Sequence, residues 1–541
     1  MEIAGESVRF SRAHCLKKAT EVSRWDVIVI GGGATGLGVA LDAASRGYST
    51  LLLEQADFAK GTSSRSTKLV HGGVRYLAQG NIRLVREALH ERGLLFENAP
   101  HLVKKQAFII PCYNWWDQLK YLAGLKIYDW LSGRSSLGAS RRMSRAEVEA
   151  ALPGVRSDGL KGGVMYFDGQ FDDTRLAVNL FQSSLENGGI LLNYFRVTGL
   201  LKDDRGKVAG VSARDEEVGK EYAFKANVVI NATGVFVDHI LRMDSAFARP
   251  LVRPSQGIHV MLDRSFLEGN DALMIPQTAD GRVLFAVPWH NYILVGTTDT
   301  PLSTASLEPE ALENEIDFVL QTAGSYLKRK PSREDILSVF AGLRPLAAPE
   351  KDTDSTKEIS RSHKLIVSGS GLITITGGKW TTYRQMAEET VDKAIETAGL
   401  KRASCVTGSL KIHGHLIPAD DSGSDGSALA GYGSDAPLIR TLAIETAGLD
   451  APLHPRLPYI KAQVVWATRH EMARTVEDML ARRIRILFLD ARAAIEMAPE
   501  VARLMADELG RGEAWQKVQV ERFTALAKRY LPQPHHGKVL A

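Results

Sequence analysis

The sequence predicts an α/β chain. A parallel-stranded domain assembled from separated segments carries an inserted antiparallel-sheet domain and is followed by an α-helical C-terminal domain. Three observations support this. An apolar, β-branched run, Asp26-Val27-Ile28-Val29-Ile30, leads into Gly31-Gly32-Gly33-Ala34-Thr35-Gly36 and a helix-like stretch over 37–46. Strand-like runs recur far downstream at 226–231 and 371–376, each ending in small residues. From residue 437 to about residue 530 the chain turns to Ala, Leu, Arg and Glu with helical periodicity.

The opening segment reads as a β-α-β unit. Gly31, Gly33 and Gly36 form G-x-G-x-x-G: the first permits a tight turn, the second lets backbone approach a pyrophosphate, and the third lets helix and strand pack closely. Ala34 and Thr35 open the helix, whose free N–H groups and dipole favour a diphosphate. A second apolar run, Ser49 to Leu53, closes on Glu54, where a carboxylate accepts both ribose hydroxyls. An acid at that place argues against a 2′-phosphate. The motif alone does not separate FAD from NAD.

At 541 residues the chain should hold more than one domain. Hydrophobic and charged contents of 44% and 24% are those of a globular protein with a large core. The net charge of +4 suits an anionic substrate or membrane surface as well as it suits an ordinary basic protein, and no nucleic-acid partner is expected. Cys15, Cys112 and Cys405 are far apart and make no C-x-x-C, so no metal or disulfide framework is expected. No run of eighteen apolar residues exists to span a membrane. Residues 1–24 lack a secretory apolar core, and their acids Glu2, Glu6 and Glu21 disfavour a transit peptide; they read as an N-terminal extension.

The cofactor domain is expected in pieces, about 25–97, 165–250 and 340–400, and the substrate domain in pieces about 98–164 and 251–339. Within the latter, Val283–Trp289 and Tyr292–Gly296 flank His290-Asn291, a two-residue hairpin turn. Residues 417–436 are rich in Gly, Ser and Asp and read as a linker. Asp421–Asp425 resembles the start of a calcium loop, but Tyr432 stands where its terminal Glu is needed, which excludes that site. The linker and helical domain occupy 401–541.

Residues 61–76 are crowded with hydroxyls, cations and glycines. The hydroxyls of Thr62, Ser63 and Ser64 and main-chain N–H groups, those of Lys68 and Leu69 among them, suit a pyrophosphate or a flavin edge; Gly72 and Gly73 would let backbone approach an isoalloxazine ring; Arg75 and Tyr76 would face a substrate anion; a polar solvated loop is the alternative.

At these residues the chain resembles the FAD-dependent glycerol-3-phosphate dehydrogenase family. The resemblance rests on IGGGATG at 30–36, TSSRSTKLVHGGVRYL at 62–77, NATG at 231–234, VGTTDT at 295–300, AGLRPL at 341–346 and GGKWTTYRQMAE at 377–388. A late segment, RHEMARTVEDMLARRIRILFLDA at 469–491, is similar to that family's helical C-terminal domain. The resemblance implies a Rossmann-like FAD-binding domain and oxidation of sn-glycerol 3-phosphate to dihydroxyacetone phosphate. A hydride leaves C2 for the flavin N5, and electrons pass on to a membrane quinone.

By that similarity Arg75, Arg344 and Arg361 bind the phosphate, to which the planar guanidinium fork is suited. Lys379 lies near the flavin N1–C2=O edge or substrate oxygens. His259 is favoured as the base, and His71 as a flavin or substrate contact; both are counted with Arg75, Arg344 and Lys379 as catalytic. Val197, Ala232, Gly234, Gly378, Thr381 and Thr382 complete the expected cofactor contacts. The chain departs from the Lys-Gly-Ser form of some members at 256–258, where Gln256 and Ile258 remove a cation and a hydroxyl.

Residues 113–131 place Trp116, Leu119, Ala123, Ile127 and Trp130 at near-helical spacing, with Lys120, Lys126, Arg134, Arg141, Arg142 and Arg145 close by. Two readings stand: an amphipathic element at an anionic membrane surface, which would place the protein at the inner face of the cytoplasmic membrane, or a core-packed helix of the substrate domain. A homodimer is one expected state. Competing functions are a glycerol-3-phosphate oxidase, an amine or amino-acid oxidase, and a non-catalytic flavin-binding scaffold. The arginines Arg469, Arg474, Arg482, Arg483 and Arg485 read by default as solvated.

Overall fold

The computed structural model describes residues 10–78, 80–278, 281–347, 363–416 and 428–532. The strand Trp25–Ile30 pairs in parallel with Thr50–Leu53 on one side and with Glu221–Asn231 on the other. Ile373–Thr376 extends the sheet in parallel beyond Glu221–Asn231, and Ile190–Leu192 does so beyond Thr50–Leu53. The sheet therefore unites segments more than 300 residues apart. Val27, Ile28 and Val29 are wholly buried, as a strand covered on both faces requires. Helices Ala34–Ser45 and Tyr383–Ala398 pack together on the sheet.

Among the described residues a second sheet has ten strands and is mostly antiparallel. The hairpin Leu284–Trp289/Tyr292–Gly296 forms as expected, with His290 and Asn291 both at positive φ (46° and 64°), the turn that matches strand twist. Gly162–Phe171 and Ser338–Ala347 also belong to this sheet. Residues 165–171 and 340–347, expected with the cofactor domain, thus lie in the other layer, because their backbone pairs with Val103–Cys112 and with Val252–Asp263.

The described part of the N-terminal extension, from residue 10, is docked on the body of the protein. Ser11 caps a helix, Arg12–Glu21, and Arg12 is buried against Asp215 at 2.8 Å and the Asn193 carbonyl at 3.1 Å. The C-terminal region is helical, with Lys461–His470, Ala491–Leu509 and Glu513–Lys528 around one core. That core continues into the second sheet through Met261, Leu294 and Phe340, so the helical domain is seated directly against that sheet. Part of the linker, 417–427, and with it the rejected calcium segment, lies outside the described residues.

Candidate active site

A cavity of about 390 Å³ runs from the first sheet to the second, within the range of small-molecule sites. At one end lie Gly31, Gly33, Ala34 and Thr35. Gly31 has φ +106°, and a Cβ there would stand 2.8 Å from the Ala232 carbonyl. Gly36 stays out of the cavity; its Cβ would meet the Gly31 carbonyl at 1.9 Å, so it serves helix–strand packing. Glu54 accepts the N–H groups of Gly32 at 2.6 Å and Ala56 at 2.9 Å. A carboxylate offers about four acceptor sites, which leaves two for ribose hydroxyls. Burial raises the Glu54 pKa, against those two backbone donors.

Ser63 Oγ accepts the Ala34 N–H at 2.9 Å, while its carbonyl accepts Trp380 Nε1–H at 2.8 Å. Thr62 and Ser63 line the cavity with Leu69 and His71. Val197, Ala232 and Gly234 line it from the other side, and Gly378, Lys379 and Thr381 from the strand end at 376. The donor set, the glycine approach and the acid at the far end fit an FAD.

Ser64 and Lys68 correct the sequence expectation. Neither lines the cavity: both are buried on the rear of the loop, where Lys68 Nζ donates to the Asp173 carboxylate at 2.6 Å and the Ser64 carbonyl at 2.7 Å. Burial, partly offset by Asp173, lowers the Lys68 pKa to about 7. Gly72, Gly73 and Thr382 are likewise set back. The Gly72 N–H donates to the Tyr128 hydroxyl at 2.8 Å, and Thr382 Oγ1 to the Lys379 carbonyl at 3.3 Å. Arg75 falls in the short helix Val74–Ala78, but its side chain lies outside the described residues, as does all of Arg361.

The other end of the cavity is built by strand register. His259 pairs with Gly296 and Phe340, and Ser255 with Arg344. Side chains alternate along a strand, so His259 and Arg344 share one face. Glycines make their room: a Cβ on Gly257 would stand 2.3 Å from Arg344 Nη2, and one on Gly296 2.3 Å from His259 Cδ2. Arg344 donates to Thr297 Oγ1 at 3.0 Å and the Gln256 carbonyl at 3.3 Å, with Asp299 3.6 Å away. Its side chain keeps 23% exposure, open toward the cavity it lines.

His259 is 2% exposed and stacks on Phe340, with ring centroids 5.1 Å apart. Its Nε2 is hydrogen-bonded to Thr67 Oγ1 at 2.9 Å, and its Nδ1 has no partner among the described residues. Burial, with the cations of Lys68 and Arg344 nearby, holds its pKa well below the usual histidine value. The ring is therefore neutral at neutral pH and able to accept a proton. Lys379 Nζ lies 3.8 Å from the Tyr76 ring centroid, both residues lining the cavity. His71 approaches from the opposite strand end, its N–H donating to Thr381 Oγ1 at 3.2 Å.

Sequence reasoning missed Thr67 as the partner of His259, Trp380 as the clamp on Ser63, and Arg65, whose guanidinium joins Glu308 at 2.6 Å. The hydroxyl-rich run 62–67 flagged the region but not these pairings. It also missed the burial of Arg482, Arg483 and Arg485, which are 2–3% exposed rather than solvated. Arg469 and Arg474 pair with Glu508 and Glu217.

Residues 26–384 match the family model for FAD dependent oxidoreductases, and residues 373–517 match that for the C-terminal domain of alpha-glycerophosphate oxidase. A relative from Caenorhabditis elegans named probable glycerol-3-phosphate dehydrogenase, mitochondrial, is 41% identical, over 95% of this chain and 74% of its own length. The mitochondrial glycerol-3-phosphate dehydrogenase of Schizosaccharomyces pombe is 37% identical over 96% of this chain and 89% of its own. Among solved structures, the Bacillus halodurans glycerol-3-phosphate dehydrogenase complexed with FAD superposes with a TM-score of 0.78 at 29% identity, covering 97% of this chain and 98% of that one. The chain therefore belongs to the FAD-dependent glycerol-3-phosphate dehydrogenase family, and its cofactor is FAD.

Proposed function

We propose that this protein oxidises sn-glycerol 3-phosphate to dihydroxyacetone phosphate and passes the electrons to a membrane quinone. The observation that carries the reading is that a neutral, buried His259 lines one cavity with Arg344, Lys379 and the dinucleotide glycines. FAD supplies a hydride acceptor when bound. Arg344 receives the substrate phosphate, held in place by Thr297 and the Gln256 carbonyl. Arg75, Arg361 and Tyr76 join it by family position. His259 takes the proton of the C2 hydroxyl as the C2 hydride departs, so two electrons and one proton leave the carbon with the hydride and the second proton stays on the imidazole. Lys379 places positive charge where negative charge develops, and His71 contacts flavin or substrate.

The membrane side of the proposal rests on the helix Trp115–Ser132. Trp116 and Trp130 are 76% and 79% exposed, with Leu119, Ile127, Lys120 and Lys126 exposed on the same helix. Arg134, Arg141 and Arg142 are exposed beside it. Aromatics at headgroup depth flanked by cations suit an anionic bilayer surface. No helix among the described residues is long and apolar enough to cross a membrane. A quadruple variant, Lys120→Glu, Lys126→Glu, Arg141→Glu and Arg142→Glu, is expected to lose sedimentation with anionic liposomes while keeping flavin reduction by substrate. Unchanged liposome binding would remove the docking face.

An oxygen acceptor is the second reading, favoured by the match of residues 373–517 to the oxidase C-terminal domain. Quinone reduction without peroxide release supports the dehydrogenase; peroxide formed at the rate of turnover supports the oxidase.

A further inference from the structure

The arginine run at 482–485 is absorbed by nothing in the chemistry above, yet all three of its arginines are buried against the oxidoreductase region. Arg483 grips Asp57 with two hydrogen bonds, at 2.9 and 3.0 Å, and Arg482 reaches the same carboxylate at 2.6 Å. Asp57 stands at the start of the loop that runs through 61–68. Arg485 reaches the rear of that loop: Nη2 donates to the Ser64 carbonyl at 3.1 Å and to Asp173 Oδ1 at 3.0 Å, and Nη1 donates to Thr174 Oγ1. Asp173 Oδ2 in turn accepts the Ser66 N–H at 3.1 Å, the Ser66 hydroxyl at 2.7 Å and Lys68 Nζ at 2.6 Å. Arg485 has φ +69°, so the chain turns sharply to deliver this side chain.

The front of the same loop does different work. Thr62, Ser63 and Thr67 face the cavity; Ser63 is bonded to Ala34 of the glycine turn, and Thr67 to His259. A planar fork that holds a carbonyl, a carboxylate and a hydroxyl at once fixes an orientation as no point charge does. We infer that Arg485, with Arg482 and Arg483 behind it, is a positioning residue. Through it the helical C-terminal domain sets the loop that holds both the cofactor and His259. This rests on the proposed role of His259 only where turnover is concerned.

The test compares Arg485→Lys with Val501→Ala in the FAD-loaded protein. Lysine keeps the charge and loses the fork. Val501 is fully buried in the core of the same domain and belongs to no part of the loop. Thermal midpoint, visible circular dichroism of the flavin, and FAD release rate are measured on each. Arg485→Lys is expected to alter the flavin dichroism and to speed FAD release about tenfold. It should also slow flavin reduction by sn-glycerol 3-phosphate about tenfold with KM within about twofold, since phosphate contacts stay in place while the base is displaced. Val501→Ala should lower the midpoint and leave all of these unchanged.

Equal flavin signatures in the two variants would overturn the inference and leave a merely structural role. Should Arg485→Lys not accumulate, Thr174→Ala removes the hydroxyl that accepts from Arg485; unchanged dichroism and FAD release there would overturn it as well. Dichroism and FAD release need no substrate. A wild-type flavin that the substrate fails to bleach would therefore count against the proposed function and not against this role.

Discussion

His259 shows how much a single side chain owes to its surroundings. That a histidine should serve here was legible in the sequence, because its proton affinity lies near neutrality, though its place well inside the strand Val252–Asp263 was given only by the structure. Its partners were not. Thr67 lies 192 positions away, and Phe340 reaches it only through strand register. Burial and two cations hold the ring neutral. The acid limb of flavin reduction due to this group is therefore expected well below pH 6.5, read from anaerobic rates against pH. An acid limb near pH 7 that vanishes in His259→Asn would contradict the assignment. The same variant should slow reduction by about a hundredfold or more, the usual worth of a general base. Glu54→Ala should weaken FAD binding and leave substrate affinity of the loaded protein unchanged, as read by cofactor titration of the apoprotein.

At the scale of elements, the β-α-β unit, the downstream strands and the hairpin were readable because their signals are local: apolar runs, glycines and a two-residue turn. The loop 61–68 was readable as a functional loop but not as a two-sided one, since which side chains face the cavity depends on Asp173 and Arg485. The segment at 413 is a further case. His413 lies between Glu186 at 2.5 Å and Asp435 at 2.9 Å, tying the chain before the linker to the helix Asp173–Glu186 and to the helical turn Ala430–Asp435. Burial alone would lower its pKa, but the bonds to Asp435 and Glu186 outweigh that and raise it to about 10. A raised folded-state value means stabilisation that is complete below pH 6.5 and fades as pH climbs toward 10. His413→Gln should lower the thermal midpoint at pH 6 and hardly change it at pH 10.5. An equal loss at both pH values would show that the charge plays no part.

Across the whole molecule, the two sheets meet at one cavity, which the helical domain backs without lining, and each contributes something the others lack. The first sheet brings the glycine turn and Glu54, the second brings His259 and Arg344, and the helical domain presses on the loop between them. Composition and periodicity foretold the three regions but not how they interlock, because buried ion pairs between distant segments leave no periodic trace. The N-terminal helix is docked by such a pair, Arg12 with Asp215. The stripe at 116–130, by contrast, was legible from its helical spacing, and of its two readings the exposure of Trp116 and Trp130 disfavours the core-packed one.

The measurement that tests the central claim most directly is the visible absorbance of the purified FAD-loaded protein on anaerobic addition of sn-glycerol 3-phosphate. The account predicts bleaching of the flavin band by this compound and none by glycerol or amino acids, with dihydroxyacetone phosphate formed in amount equal to the flavin reduced. A flavin that stays oxidised with the phosphate ester, or that glycerol bleaches equally well, would contradict it.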